Sequence, residues 1–150
     1  MQVAWRIVPA RRAASAFTGE GARLAGGRWN SPGVPVIYTS ANKSLAALEL
    51  LVHVGSNVPI PYKAFRLEIA DDLICSLAQI PKGWDVEPPG PASMRIGDRW
   101  CSEARTAALA VPSVIIPEEK NFVLNPMHPD FKRIKIGPAL DFAFDSRLLR

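Results

Sequence analysis

Apolar and polar positions alternate in a few short runs and follow a helical period in others, with irregular stretches between. Val3–Val8 is rich in β-formers and stops at Pro9, which predicts a first strand. Val34–Thr39 predicts a buried strand. The spacing then predicts a helix over 43–54, with Ser40 or Asn42 as its cap and Gly55 as its stop. Lys63–Ile69 alternates cleanly: Phe65, Leu67 and Ile69 fall on one face, Arg66 and Glu68 on the other. A second helix is expected from about Asp98 to Leu109, and a strand over Val111–Ile116. Shorter strands are expected at Asn121–Leu124, Arg133–Ile136 and Leu140–Phe144.

Two stretches break the pattern. Residues 10–33 carry Gly19, Gly21, Gly26, Gly27 and Gly33 without sustained periodicity, although a short helix near 11–16 would shorten this loop. A structureless loop of that length inside a domain is usually either functional or wrongly assigned. Residues 81–97, rich in proline and glycine, read as an irregular excursion. Strands with two main helices and no regular βαβ alternation predict an α+β fold. Neither the dinucleotide-binding glycine signature nor a P-loop is present.

Composition narrows the function classes. The 150 residues suffice for one domain, taken as 1–150. The net charge of +4 suits an anionic partner, or simply serves solubility. The basic residues are scattered in pairs such as Arg11-Arg12 and Lys132-Arg133, so direct nucleic-acid binding is not expected. Cys75 and Cys101 are isolated, and His53 and His128 join no Cys/His cluster, so no metal site is expected. With no signal-peptide pattern and no long apolar run, the expectation is a cytoplasmic protein away from the membrane.

The candidate chemistry starts at Gly26-Gly27-Arg28-Trp29-Asn30. The glycines permit a sharp turn or a close approach to a ligand. The Arg28 guanidinium can hold a pyrophosphate by paired hydrogen bonds. Trp29 offers a face for stacking and Asn30 a donor and an acceptor; a surface turn with Trp29 plugging the core is the plainer reading. Glu49 is the sole acid in 42–54, and helical spacing aligns it with Asn42 and His53 in a narrow polar stripe. That stripe faces either solvent or a cleft. Tyr38 ends its strand beside the helix start. Ser113, alternating with Val111 and Ile115, is either a buried hydroxyl bonded to backbone or a donor at a pocket. In Asn125-Pro126-Met127-His128-Pro129 the Asn and His either cap the turn or face a ligand.

In order along the chain stand Trp5-Arg6, Gly27-Arg28-Trp29-Asn30, Gly33, Val36-Ile37-Tyr38, Ser40 and Ala46-Ala47-Leu48-Glu49. Gly97-Asp98-Arg99-Trp100, Val111-Pro112-Ser113, Pro117, Asn121 and Asn125-Pro126-x-His128-Pro129 follow. This ordered set resembles the RES family, named for an Arg, a Glu and a Ser; those positions match Arg28, Glu49 and Ser113. The resemblance implies an ADP-ribosyltransferase-like fold, with two small, mostly antiparallel sheets and a few helices around an NAD⁺ cleft. It also implies the toxin of a toxin–antitoxin pair, partnered by an Xre-type helix-turn-helix antitoxin that blocks the active site.

The implied activity is breakage of the nicotinamide–ribose bond of NAD⁺, its substrate, by hydrolysis or phosphorolysis. The alternatives are mono-ADP-ribosylation of a host protein target, or a non-catalytic binding module. On this reading Arg28 clamps the phosphates with Arg6 as a second cation, and Tyr38 stacks on or orients the nicotinamide ribose. Glu49 stabilises positive charge at C1 or activates the acceptor, and Ser113 fixes the substrate by a hydrogen bond. Trp29, Asn30 and Asn125 are expected to line the substrate site.

Overall fold

The long alternation at 63–69 builds the longest strand pairing of the sheet. In the computed structural model, which describes residues 1–55 and 60–149, it forms β3 (Tyr62–Ile69) beside β1 (Gln2–Pro9). The two pair antiparallel over their whole length, from Gln2↔Ile69 to Pro9↔Tyr62. Phe65, Leu67 and Ile69 are buried while Arg66 is exposed, as the alternation requires; Ala64, on the Arg66 face, is buried as well. The far edge of β3 carries two short strands, β7 (Lys135–Ile136) and β8 (Leu140–Phe142).

A second limb starts from β2 (Ile37–Ser40), which pairs with β6 (Lys120–Leu124) from Ile37↔Leu124 to Ser40↔Asn121. Beyond β6 lie β5 (Ala108–Pro112), antiparallel to it, and β4 (Ile74–Ser76), parallel to β5. The limbs meet at one register pair, Trp5↔Ser40. The two sheets implied by the resemblance are thus joined by that pair into one hydrogen-bonded sheet of the described residues, ordered β4-β5-β6-β2-β1-β3-β7.

Helices cover this sheet. The short α1 (Glu20–Ala25) lies within the glycine-rich loop, after a 3₁₀ turn at Ala10–Ser15. The second helix, α2 (Lys43–Val54), has the expected bounds. Of the two candidate caps, Asn42 serves: its side chain accepts a hydrogen bond from the Leu45 amide. Ala46 of α2 packs with Ile7 of β1 and Ala64 of β3.

Two expected elements are displaced. The helix expected over 98–109 is α3 (Pro91–Ser102), because Pro91 sits in its first turn with a preset φ. The alanine-rich run after it pairs with β6 instead: Ala107 and Ala108 are fully buried, and that burial outweighs their helix propensity. The strand expected over 111–116 accordingly starts at Ala108 and ends at Pro112. Ser113 turns the chain there, its Oγ accepting hydrogen bonds from the amides of Ile115 and Ile116. α1 and β4 are additional elements. β4 is too short for periodicity to mark it, and α1 lies in a stretch without one.

Candidate active site

A cleft of about 710 Å³ opens over the joint between the limbs, within the usual range for small-molecule sites. Trp5 and Arg6 of β1, Tyr38 of β2, Glu49 and His53 of α2, Gly27 and Arg28 line it.

The wall at residues 26–31 is fixed from several sides. The Tyr38 hydroxyl accepts from the Trp29 amide at 3.0 Å and donates to Asn30 Oδ1 at 2.6 Å. Burial pushes the Tyr38 phenol well above its ordinary pKa. Asn30 Nδ2 donates to the carbonyls of Ala22 and Val34 at 2.9 and 3.0 Å. The Ser31 amide and hydroxyl both donate to the Asp98 carboxylate on α3. Glycine is required at two contacts. A Cβ on Gly27 would stand 2.6 Å from the Tyr38 hydroxyl, and one on Gly97 would stand 1.6 Å from the Trp29 carbonyl oxygen.

Two arginines face the cleft differently. Arg6 donates from Nε to the Ala16 carbonyl at 2.7 Å and from Nη1 to the Tyr38 carbonyl at 3.0 Å. No carboxylate of the described residues pairs with it, and desolvation lowers its pKa to about 10. It therefore remains a cation at neutral pH. Arg28 donates from Nη1 to the carbonyls of Trp84 and Val86 at 2.9 and 2.8 Å, and from Nη2 to Glu87 at 2.7 Å. The irregular excursion of residues 81–90 is thus fastened to the cleft rim, and Trp84 stacks on Trp29 with ring centroids 6.2 Å apart.

On the opposite side, Glu49 Oε1 accepts from Ser113 Oγ at 2.7 Å and from Asn121 Nδ2 at 2.9 Å. Ser40 donates to Asn121 Oδ1 at 2.7 Å, which fixes the orientation of that amide. Ser113 is itself held by the two amides it accepts from. Oε2 of Glu49 receives no hydrogen bond from the described residues. A carboxylate fixed by one oxygen and open at the other, in a cleft with an unpaired cation, is suited to stabilising positive charge beside an anionic group.

A family model described as RES domain matches residues 3–145. The chain belongs to the RES domain family. Similar proteins include the "Prs ADP-ribosylating toxin" of Sphingobium sp., 40% identical across 97% of this chain and 96% of its own length. The "Toxin Res" of Photorhabdus laumondii is 37% identical across 99% and 97%. The "Toxin Res" of Yersinia enterocolitica is 40% identical across 96% and 97%. Among solved structures, a chain of the M. tuberculosis MbcT–MbcA toxin–antitoxin complex superposes with a TM-score of 0.78 at 17% identity. That superposition covers 95% of this chain and 84% of the other. The expected α+β, ADP-ribosyltransferase-like class is therefore that of the RES fold.

Within this RES domain the expected site residues divide. Arg6, Arg28, Tyr38, Trp29 and Glu49 line the cleft. Trp29 does so while almost wholly buried, packed with Trp100, Leu109 and Val123. Three of the expected site residues are buried behind the cleft lining. Asn30 is 0% exposed and bonded through both ends of its amide, so it holds the loop. Ser113 is also 0% exposed, and its hydroxyl contacts Glu49 instead of the cleft space. Asn125 is buried at the far end of β6, where its Oδ1 accepts from the Met127 amide and caps the turn.

The polar stripe of α2 resolves into separate duties. Asn42 caps the helix and donates to Glu119, whereas Glu49 and His53 line the cleft. His128 belongs to the turn: Nδ1 accepts from the Asp130 amide and Nε2 lies 3.0 Å from the Ala104 carbonyl. Ser40 and Asn121 join the site although no part in it was expected of either. Their signal lies in strand pairing, since they stand opposite each other at the end of the β2–β6 ladder.

Both cysteines are free and half-buried, and burial pushes the Cys101 thiol up to about 12. No group of three or more metal-binding side chains occurs among the described residues. No helix of the described residues is long and apolar enough to cross a membrane.

Proposed function

We propose that residues 1–150 act as a single RES domain, the toxin of a cytoplasmic toxin–antitoxin pair, whose cleft breaks the nicotinamide–ribose bond of NAD⁺. The observation that carries this reading is the disposition of Glu49: Oε1 is fixed by Ser113 and Asn121, and Oε2 is left open in a cleft that also holds the unpaired Arg6.

In the reaction, the bond from the pyridinium nitrogen to C1 of the ribose breaks and its electron pair stays with nicotinamide. Nicotinamide leaves neutral, so no strong general acid is required. Positive charge develops at C1 and the ring oxygen, where the Glu49 carboxylate stabilises it. An acceptor oxygen, from water or phosphate, then bonds to C1 and loses its proton to Glu49 or solvent. Arg6 and Arg28 hold the pyrophosphate. The Tyr38 hydroxyl is committed to Trp29 and Asn30, so Tyr38 contributes by shaping the cleft wall. Ser113 is a positioning residue acting through Glu49.

A second reading keeps the same bond cleavage but delivers ADP-ribose to a host protein. The Sphingobium relative, named as an ADP-ribosylating toxin, supports it. Incubation with NAD⁺ labelled in the adenylate half, with and without phosphate and cell lysate, separates the outcomes. Free ADP-ribose, ADP-ribose 1″-phosphate and a labelled protein band mark water, phosphate and protein as acceptor. Intact NAD⁺ in all three mixtures would leave a non-catalytic module.

For the partner, the toxin–antitoxin complex that contains the structural neighbour supports a protein antitoxin. We assign it to the Xre helix-turn-helix class and to the cleft mouth. Titrating nicotinamide release with the neighbouring gene product tests both points, and release unaffected at excess partner would refute them.

A further inference from the structure

The Arg28 guanidinium is both placed and occupied. Its Nη1 is held by two backbone carbonyls, of Trp84 and Val86, and its Nη2 meets the carboxylate of Glu87. The arginine side chain is only 11% exposed, whereas that of Glu87 is 75% exposed. Glu87 lines the same cleft as Arg6 and Glu49. An ion pair with one partner so open to water is weak, and a glutamate side chain can rotate away without moving the backbone.

We infer that Glu87 is an internal competitor for the substrate's pyrophosphate: its carboxylate occupies the anion position of Arg28 and swings into solvent when a phosphate takes its place. The inference rests on the nucleotide reading of the cleft. The two carbonyls keep Arg28 oriented through the exchange, so the cation is preorganised while its outer donors change partner. Until that exchange Glu87 offsets one of the two cleft arginines and repels an entering dianion. Glu87 thereby lowers affinity for any ligand bearing the pyrophosphate and leaves uncharged ligands unaffected. A purely mechanical role, fastening residues 84–87 to Arg28, predicts the opposite, because removing the carboxylate would then loosen the cleft wall.

Calorimetric titration with ADP-ribose, which carries the pyrophosphate but has no nicotinamide bond to break, distinguishes the two. Glu87→Gln is expected to bind about threefold to fivefold more tightly than the unaltered protein, with the gain shrinking as salt is raised. Adenosine, which lacks both phosphate and charge, should bind both proteins equally. The Glu87→Gln effect should vanish in an Arg28→Ala background whose fold is verified by thermal melting. The salt series reads the same interaction should Arg28→Ala fail to fold. Equal or weaker ADP-ribose binding by Glu87→Gln overturns the inference, as does an equal gain for adenosine. Absence of ADP-ribose binding by every variant, the unaltered protein included, overturns the nucleotide reading of the cleft itself.

Discussion

The two walls of the cleft are built on opposite principles. Around residues 26–31 nearly every polar group is turned inward: Tyr38 to Trp29 and Asn30, Asn30 to Ala22 and Val34, Ser31 to Asp98. Around Glu49 the network runs toward the cleft: Ser40 orients Asn121, and Asn121 and Ser113 fix one oxygen of a carboxylate whose other oxygen has no partner among the described residues. One wall is closed on itself and supplies shape. The other presents an unsatisfied acceptor, as the proposed chemistry requires. A polar residue in a functional loop is therefore as readily part of the scaffold as of the site, and the direction of its hydrogen bonds decides which.

The comparison breaks most sharply at Gly97, which lets α3 approach the closed wall. A Cβ there would stand 1.6 Å from the Trp29 carbonyl oxygen, a backbone atom that no side-chain rotation can relieve. Gly97→Ala should destabilise the fold by about 3 kcal/mol or more. A loss of that size lowers the melting temperature by about 6–12 °C for a domain of this length. A melting temperature within experimental error of the unaltered protein would mean that the loop is not clamped as described.

Ser113 sharpens the contrast from the other side. Ser113→Ala removes one of the two donors to Glu49 and leaves the cleft lining unaltered. A roughly tenfold fall in kcat with KM nearly constant is expected, since the lost bond acts on the reacting carboxylate and not on bound NAD⁺. A raised KM with unchanged kcat would return Ser113 to direct substrate binding. The smallest effect is the affinity gain of Glu87→Gln, which tests whether the closed wall opens one donor to the ligand.

Much of this was legible in the sequence where a period or a cap enforces it. The alternation at 63–69, the cap at Asn42 and the stop at Gly55 define β3 and the helix bearing Glu49. Segments decided by distant contacts were not legible. The alanine-rich run at 107–110 has helical propensity but is buried against β6, and Pro91 starts α3 a full two turns early. The candidate site followed the same division. Arg28 and Glu49 stand out by charge and position, Arg6 only by the family resemblance, and all three line the cleft. The inward turn of Asn30 and Asn125 depends on carbonyls and amides whose positions only the folded chain sets. The pairing of Ser113 with Glu49 spans 64 residues of sequence, so no local pattern announces it.

The central claim is that Glu49 stabilises charge at C1 of the nicotinamide ribose, and nicotinamide release by Glu49→Gln tests it most directly. The amide keeps the shape of the side chain and removes its charge. The account predicts a fall in kcat of about 10²-fold or more, with the melting temperature retained. Nicotinamide release near the rate of the unaltered protein would contradict it.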